Sequence, residues 1–191
     1  MGDASAGRLA KVKARVARAA NIAAWDGSAW QAIGTGLPNY VEALGEFQGE
    51  LVASWAGFWS GGPGAARWTG SAWVPLYQTV EPRFGLSPEI FYFAEKDGNL
   101  YASGLFGAID GVAARSVARW DGVQWHDAGV TELTFAPKVL ATPDALFYVG
   151  DVDIIGSLHN QPAVARLDGS GLKFLWNHIV GEVLAVASHD G

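Results

Sequence analysis

Trp25-Asp26-Gly27-Ser28-Ala29-Trp30 returns as Trp68-Thr69-Gly70-Ser71-Ala72-Trp73 and again as Trp120-Asp121-Gly122-Val123-Gln124-Trp125. A weaker copy follows as Leu167-Asp168-Gly169-Ser170-Gly171-Leu172. Two more markers keep the same beat. One is the apolar run Val41-Glu42-Ala43-Leu44, Ile90-Phe91-Tyr92-Phe93, Val139-Leu140-Ala141 and Val183-Leu184-Ala185-Val186. The other is Gly49-Glu50-Leu51-Val52-Ala53, Gly98-Asn99-Leu100-Tyr101-Ala102 and Ala145-Leu146-Phe147-Tyr148-Val149. Three markers sharing a period of roughly 47 residues define a repeat architecture.

Each period reads as four short strands. A β-branched or aromatic strand leads through a Gly-containing turn to the second strand. A longer polar connection leads to the third, as at Arg115-Ser116-Val117-Ala118-Arg119, and the hexad joins the third to the fourth. Asp-Gly suits such a hairpin because a tight turn needs positive φ, which Gly adopts without a Cβ clash. Two registers remain open. With Asp-Gly as the turn, the two Trp sit on neighbouring strands without facing one another. With Gly-Ser as the turn, they form a directly opposed cross-strand pair. A one-residue shift between the two would reverse the exposed face.

Four-stranded units of this length stacked radially are propeller blades. The pattern I-A-x-W-D-G-x-x-W preceded by L-Y-x-x-G-x-F resembles the kelch-like WDG-repeat propellers of bacterial surface proteins and fungal cortical polarity markers. Residues Leu100 to Gly129 carry it best, and the resemblance extends over about 170 residues. It implies an all-β fold, a small propeller of four kelch-like units, complete or as part of a larger ring. The units fall near 41–76, 89–129 and 138–176, with a fourth split between 183–191 and 7–33; residues 21–191 form the propeller and 1–20 a basic arm. An extracellular or virion-associated setting also follows from the resemblance alone.

Composition agrees with many short strands and tight turns. The 191 residues include 25 Gly, nearly twice the ~7% of average usage, and 9 Trp. Half the chain is hydrophobic and 17% charged, which excludes general disorder. There is no Cys, so disulfide scaffolds, thiolate metal sites and Cys nucleophiles are excluded together. No apolar run reaches the ~18 residues of a membrane-spanning helix, and no secretory signal heads the sequence.

The net charge of −6 hides an asymmetry. Arg8, Lys11, Lys13, Arg15 and Arg18 supply five of the 13 basic residues against Asp3 alone. Their spacing fits a helix with Leu9, Val12 and Val16 on the opposite side. Lys11 to Val16 also alternates as a strand would, closing the split unit. The helix is favoured for its Ala, Arg and Lys content. In either form the arm is expected to dock on a protein partner or on the chain's own acidic body. Base readout of nucleic acid is not expected, because no aromatic interleaves the charges.

Chemistry-bearing patterns are sparse. His126, His159, His178 and His189 lie without metal-ligand spacing. Asp151-Val152-Asp153 opens like a calcium loop but lacks its Gly and terminal Glu. No Gly-x-Ser-x-Gly elbow occurs, and Ser60-Gly61-Gly62-Pro63-Gly64 is not followed by the Lys-Ser/Thr of a phosphate loop. Asp26, Asp121 and Asp168 are read as turn formers rather than a carboxylate ring. The contact candidates are Trp55 and Trp59, flanking a Gly-rich stretch, and Arg83 and Phe84 within the long segment 77–88. The expected function is a non-catalytic interaction or structural module with no cofactor, no metal and no catalytic residue. Its loops would contact proteins or glycans as a component of a larger extracellular or virion assembly. A lectin-like propeller and a hydrolase or lyase with an axial active site are the alternatives.

Overall fold

The computed structural model describes residues 19–57, 64–130, 138–152, 161–168 and 171–176. Among them the chain is all strand and turn. In order the strands are β1 (Ala23–Trp25), β2 (Trp30–Ala32), β3 (Val41–Phe47), β4 (Glu50–Trp55), β5 (Ala65–Trp68), β6 (Trp73–Pro75), β7 (Val80–Glu81), β8 (Glu89–Lys96) and β9 (Asn99–Leu105). They continue as β10 (Ala108–Ile109), β11 (Val112–Ala113), β12 (Val117–Trp120), β13 (Trp125–Asp127), β14 (Lys138–Ala141), β15 (Leu146–Val152), β16 (Gln161–Asp168) and β17 (Gly171–Trp176). Three open antiparallel sheets of four strands run β3-β4-β5-β6, β8-β9-β12-β13 and β14-β15-β16-β17. The hairpin β1-β2 precedes them, and β7, β10 and β11 form a small sheet of their own. No helix among the described residues is long and apolar enough to cross a membrane. The basic arm through Arg18 lies outside the described residues, as do 183–191 of the split unit.

Side-chain hydrogen bonds decide the hexad register. Asp26 N–H donates to the Ala29 carbonyl at 3.1 Å, while Asp26 Oδ1 accepts from the N–H groups of Ser28 (2.9 Å) and Ala29 (2.8 Å). The carboxylate takes the Ala29 N–H, an acceptor role that a backbone carbonyl would otherwise fill, which narrows the turn to Gly27-Ser28. Asp121 does the same for Val123 (2.8 Å) and Gln124 (2.9 Å), and Thr69 does it with its hydroxyl, accepting from Ala72 N–H at 3.3 Å. Gly27, Gly70 and Gly122 hold φ of 94°, 90° and 101°, a region closed to most side chains. The opposed-Trp register is therefore the one adopted: Trp25 faces Trp30, Trp68 faces Trp73 and Trp120 faces Trp125. Their ring centroids lie 5.4–5.7 Å apart at tilts of 49–59°, a favourable edge-inclined geometry.

Successive units are joined by the second Trp of each pair. Trp73 Nε1–H donates to the Ile33 carbonyl at 3.3 Å, and Trp125 Nε1–H donates to the Leu76 carbonyl at 2.8 Å. The first strands lie side by side, β3 against β8 and β8 against β14. Both β3 and β8 are bulged, passing over Glu42 and Phe91. At the second bulge the fully buried Ser54 donates its hydroxyl to the Ile90 carbonyl at 2.7 Å, tying the first sheet to the second. Apolar side chains fill each junction. Ile22, Leu37, Trp55 and Trp73 lie between the hairpin and the first sheet. Phe47, Val52, Leu76, Leu100 and Trp125 lie between the first and second. Val117, Leu146, Tyr148 and Leu172 lie between the second and third.

Two substitutions probe this arrangement. Trp125→Phe keeps the ring and strands the buried Leu76 carbonyl, so denaturant unfolding should show a loss of about 1–3 kcal/mol, with Trp73→Phe costing less because its bond is longer and partly exposed. A Cβ at Gly104 would run into the Glu89 carbonyl oxygen and the Ile90 backbone. Gly104→Ala should therefore destabilise by about 1–3 kcal/mol or more, while Gly49→Ala, with open space around it, should cost only the ~1–2 kcal/mol of its positive φ.

Candidate functional site

The connection between the first and second sheets is longer than those leading into β3 and β14, and it is tied down by hydrogen bonds. Residues 77–88, between the first and second sheets, pair with the connection 106–116 between β9 and β12. Asp110 supplies the clamp. Its Oδ1 accepts from the N–H groups of Gln78 and Thr79, both at 2.8 Å, and its own N–H donates to the Thr79 carbonyl at 2.9 Å. Gly107 N–H reaches the Glu81 carbonyl at 2.9 Å, and Ser116 N–H reaches the Phe106 carbonyl at 3.1 Å. Leu76, Tyr77, Phe106, Ile109 and Ala114 are buried beneath. The buried Tyr77 hydroxyl accepts the Gly64 N–H at 2.8 Å, and burial pushes its phenol up to about 12.

Out of this base projects the turn Arg83-Phe84-Gly85-Leu86. Leu86 N–H donates to the Arg83 carbonyl at 3.1 Å, and Phe84 and Gly85 hold φ of 57° and 70°. That pair of positive φ values makes a tight turn of the hairpin type. For an aromatic residue the conformation is costly, and such strain gathers at functional positions. The Arg83 guanidinium donates to the Ser116 hydroxyl and stands 4.7 Å from the centroid of the Phe84 ring, within cation–π range. Burial, then the charge of Arg115, pushes its pKa down from the ordinary arginine value; arginine stays protonated regardless. Phe84 is 61% exposed and Leu86 is exposed beside it. Two apolar side chains and a held cation on a fixed turn can bind by packing. They offer no nucleophile.

The other sequence candidates are placed differently. Trp55 ends β4 with 6% exposure, packed in the core between the hairpin and the first sheet, and its Nε1 is buried without a partner. Trp59, Asp153, His159, His178 and His189 lie outside the described residues. His126 Nε2 meets Asp121 Oδ2 at 2.6 Å, the position at which Gln31 Nε2 meets Asp26 Oδ2 at 2.7 Å. Asp168 lies 3.3 Å from Arg166. Asp26 and Asp121 thus serve their own hairpins. Among the described residues, no group of three His, Asp or Glu side chains is placed to hold a metal.

Sequence reasoning missed one cluster, that of Tyr40, Glu42 and Glu89 at the starts of β3 and β8. Burial, then the charge of Glu42, pushes the Glu89 carboxyl up, and one of its oxygens is buried without a partner. Burial, then Glu42 and Glu89, raises the Tyr40 phenol. Two carboxylates with overlapping fields are raw material for proton chemistry, yet nothing among the described residues adds a nucleophile. The bulge that brings Glu42 there leaves no mark in the alternation pattern. Compared with family models, curated proteins and solved structures, the chain finds no match in any of the three.

The turn carboxylates give a pH signature. The Gln31 amide and the N–H groups of Ala29 and Ser28 hold the Asp26 carboxyl well below the usual carboxylate range. A carboxyl that binds its proton less tightly when folded stabilises the fold above its unfolded pKa of about 4, and that contribution drains away as pH falls below it. Asp26→Asn should therefore have a lower urea midpoint than the parent near neutrality, with the gap narrowing as the pH drops below about 4.

Proposed function

We propose that the chain is a non-catalytic contact module built from kelch-like units in a propeller arrangement, and that it engages a protein partner through the Arg83–Leu86 turn. The same joint, an indole N–H onto the preceding unit's carbonyl, is made twice in succession, and repetition of one operation around an axis supports radial stacking of the sheets. The exposed Phe84 on its anchored turn is the observation that carries the functional reading. Insertions into a repeat map to loops of one face, often the binding face. Preorganisation by Asp110 and Ser116 lowers the ordering cost of binding. Phenylalanine and arginine are both enriched in the cores of protein interfaces. A setting within a larger extracellular or virion assembly accords with such a module.

A glycan ligand is the second reading, and it now rests on Phe84 in place of the buried Trp55. A photo-cross-linking side chain at position 84 should capture a discrete partner from a native extract. The same group at Val123, an exposed apolar residue on a hexad turn, should not. With that partner in hand, Phe84→Ala should weaken binding about tenfold or more while leaving the thermal midpoint unchanged. Binding only on a glycan array, abolished by Phe84→Ala, would transfer the turn to a sugar. Unaltered affinity for every ligand found would remove it from function.

A further inference from the structure

The indole joint obeys a fixed spacing. Trp73 donates to Ile33, three residues beyond Trp30, and Trp125 donates to Leu76, three residues beyond Trp73. Trp125 is 3% exposed and Trp73 partly buried. Trp30 is the preceding member of the series, and it makes no such bond among the described residues. It is 52% exposed, with Trp25 exposed beside it. Its ring nevertheless stands to Trp25 at 5.7 Å and 59°, close to the 5.4 Å and 51° of Trp68 and Trp73 in a completed joint. Among the described residues the donor face is preset and exposed.

The complementary face lies on the third sheet. Three residues beyond Leu172, the second apolar position of its hexad, comes Leu175. The β16–β17 register passes from Ala165–Phe174 to Val164–Trp176 and skips Leu175, which sets its peptide outside the regular ladder. Leu175 is 54% exposed, and Phe174 is exposed next to it. Among the described residues, each chain thus shows one indole face without an acceptor unit and one acceptor position without an indole, the two halves of a joint it makes twice internally.

We propose that a second copy of this chain fills the indole face: the β17 side of its third sheet seats on Trp25 and Trp30 of the first copy, with Trp30 Nε1–H directed at the Leu175 carbonyl. The contact continues the internal interface from one molecule to the next. It is head-to-tail, so like faces never meet, and it propagates into rings or open arrays according to the rotation per step. It does not depend on the Arg83–Leu86 turn.

Sedimentation velocity on the intact chain and two variants tests it. The parent should grow in mass with concentration above the 20.2 kDa of one chain. Trp30→Ala and Leu175→Arg, each altering an exposed position, should keep the parental circular dichroism and remain monomers when alone. Mixed, they should form one 1:1 species and nothing larger, because Trp30→Ala retains the β17 face and Leu175→Arg retains the indole face. Phe84→Ala should assemble as the parent does. A parent that stays monomeric at every concentration would overturn the proposal, as would a variant mixture without the dimer. A monomeric parent whose thermal midpoint falls sharply in Trp30→Ala would assign the indole face to the chain's own residues, which also overturns it.

Discussion

The fold rests on competition for one backbone N–H. In each of the three Trp hexad hairpins a carboxylate or hydroxyl accepts the N–H of the fourth loop residue. That choice sets the turn at Gly and its successor and places two Trp opposite one another. Opposition brings the second Trp to the edge of its unit with its indole N–H outward, where the preceding unit offers a carbonyl. A local hydrogen bond a few atoms wide thereby determines how whole sheets stack. The third sheet solves a different corner in the same way: Thr142 Oγ1 accepts from Ala145 N–H at 3.2 Å, between β14 and β15.

Regularity of this kind makes departures from it informative. The first two sheets are built on the same four-strand plan, with the same bulge in the first strand and a buried Ser at the same place in the second, Ser54 and Ser103. The connection 77–88 is longer than those that lead into β3 and β14, and it pairs with 106–116 to make the small sheet under Phe84. Both segments line the core through Tyr77, Phe106, Ile109 and Ala114, while the Asp110 clamp holds the base of the protruding turn. The added structure has its outlet in exposed apolar surface at Phe84 and Leu86, which a purely structural embellishment would be selected to cover.

Much of this was legible in the residues alone. The hexads, the apolar runs and the Gly-led second strands located the strands of all three large sheets, because turn glycines and alternating β-branched residues leave a mark at every period. Arg83 and Phe84 stood out for lying in a connection longer than its counterparts. What stayed hidden depended on geometry across the chain. The hexad register turned on which acceptor wins Ala29 N–H, and spacing is blind to that. Trp55 read as a loop aromatic because the glycines after it suggested a loop; β4 runs on through it, and the pleat turns its ring inward. The Glu42–Glu89 approach requires two bulged strands to lie edge to edge, information that no single strand contains.

The weaker fourth hexad has a mechanical meaning. Leu167 and Leu172 replace the two Trp, so among the described residues the joint between the second and third sheets has packing and the Lys96 amine on the Pro143 carbonyl at 2.8 Å, but no indole donor. Apolar packing resists separation in proportion to the area still covered, whereas a buried directional bond must be broken outright before water can enter. The chain is thus a series of couplings of unequal stiffness, firm from the first hairpin through the second sheet and compliant at the third. Strain arriving from either end would be taken up at that one seam, sparing the sheet that carries Phe84.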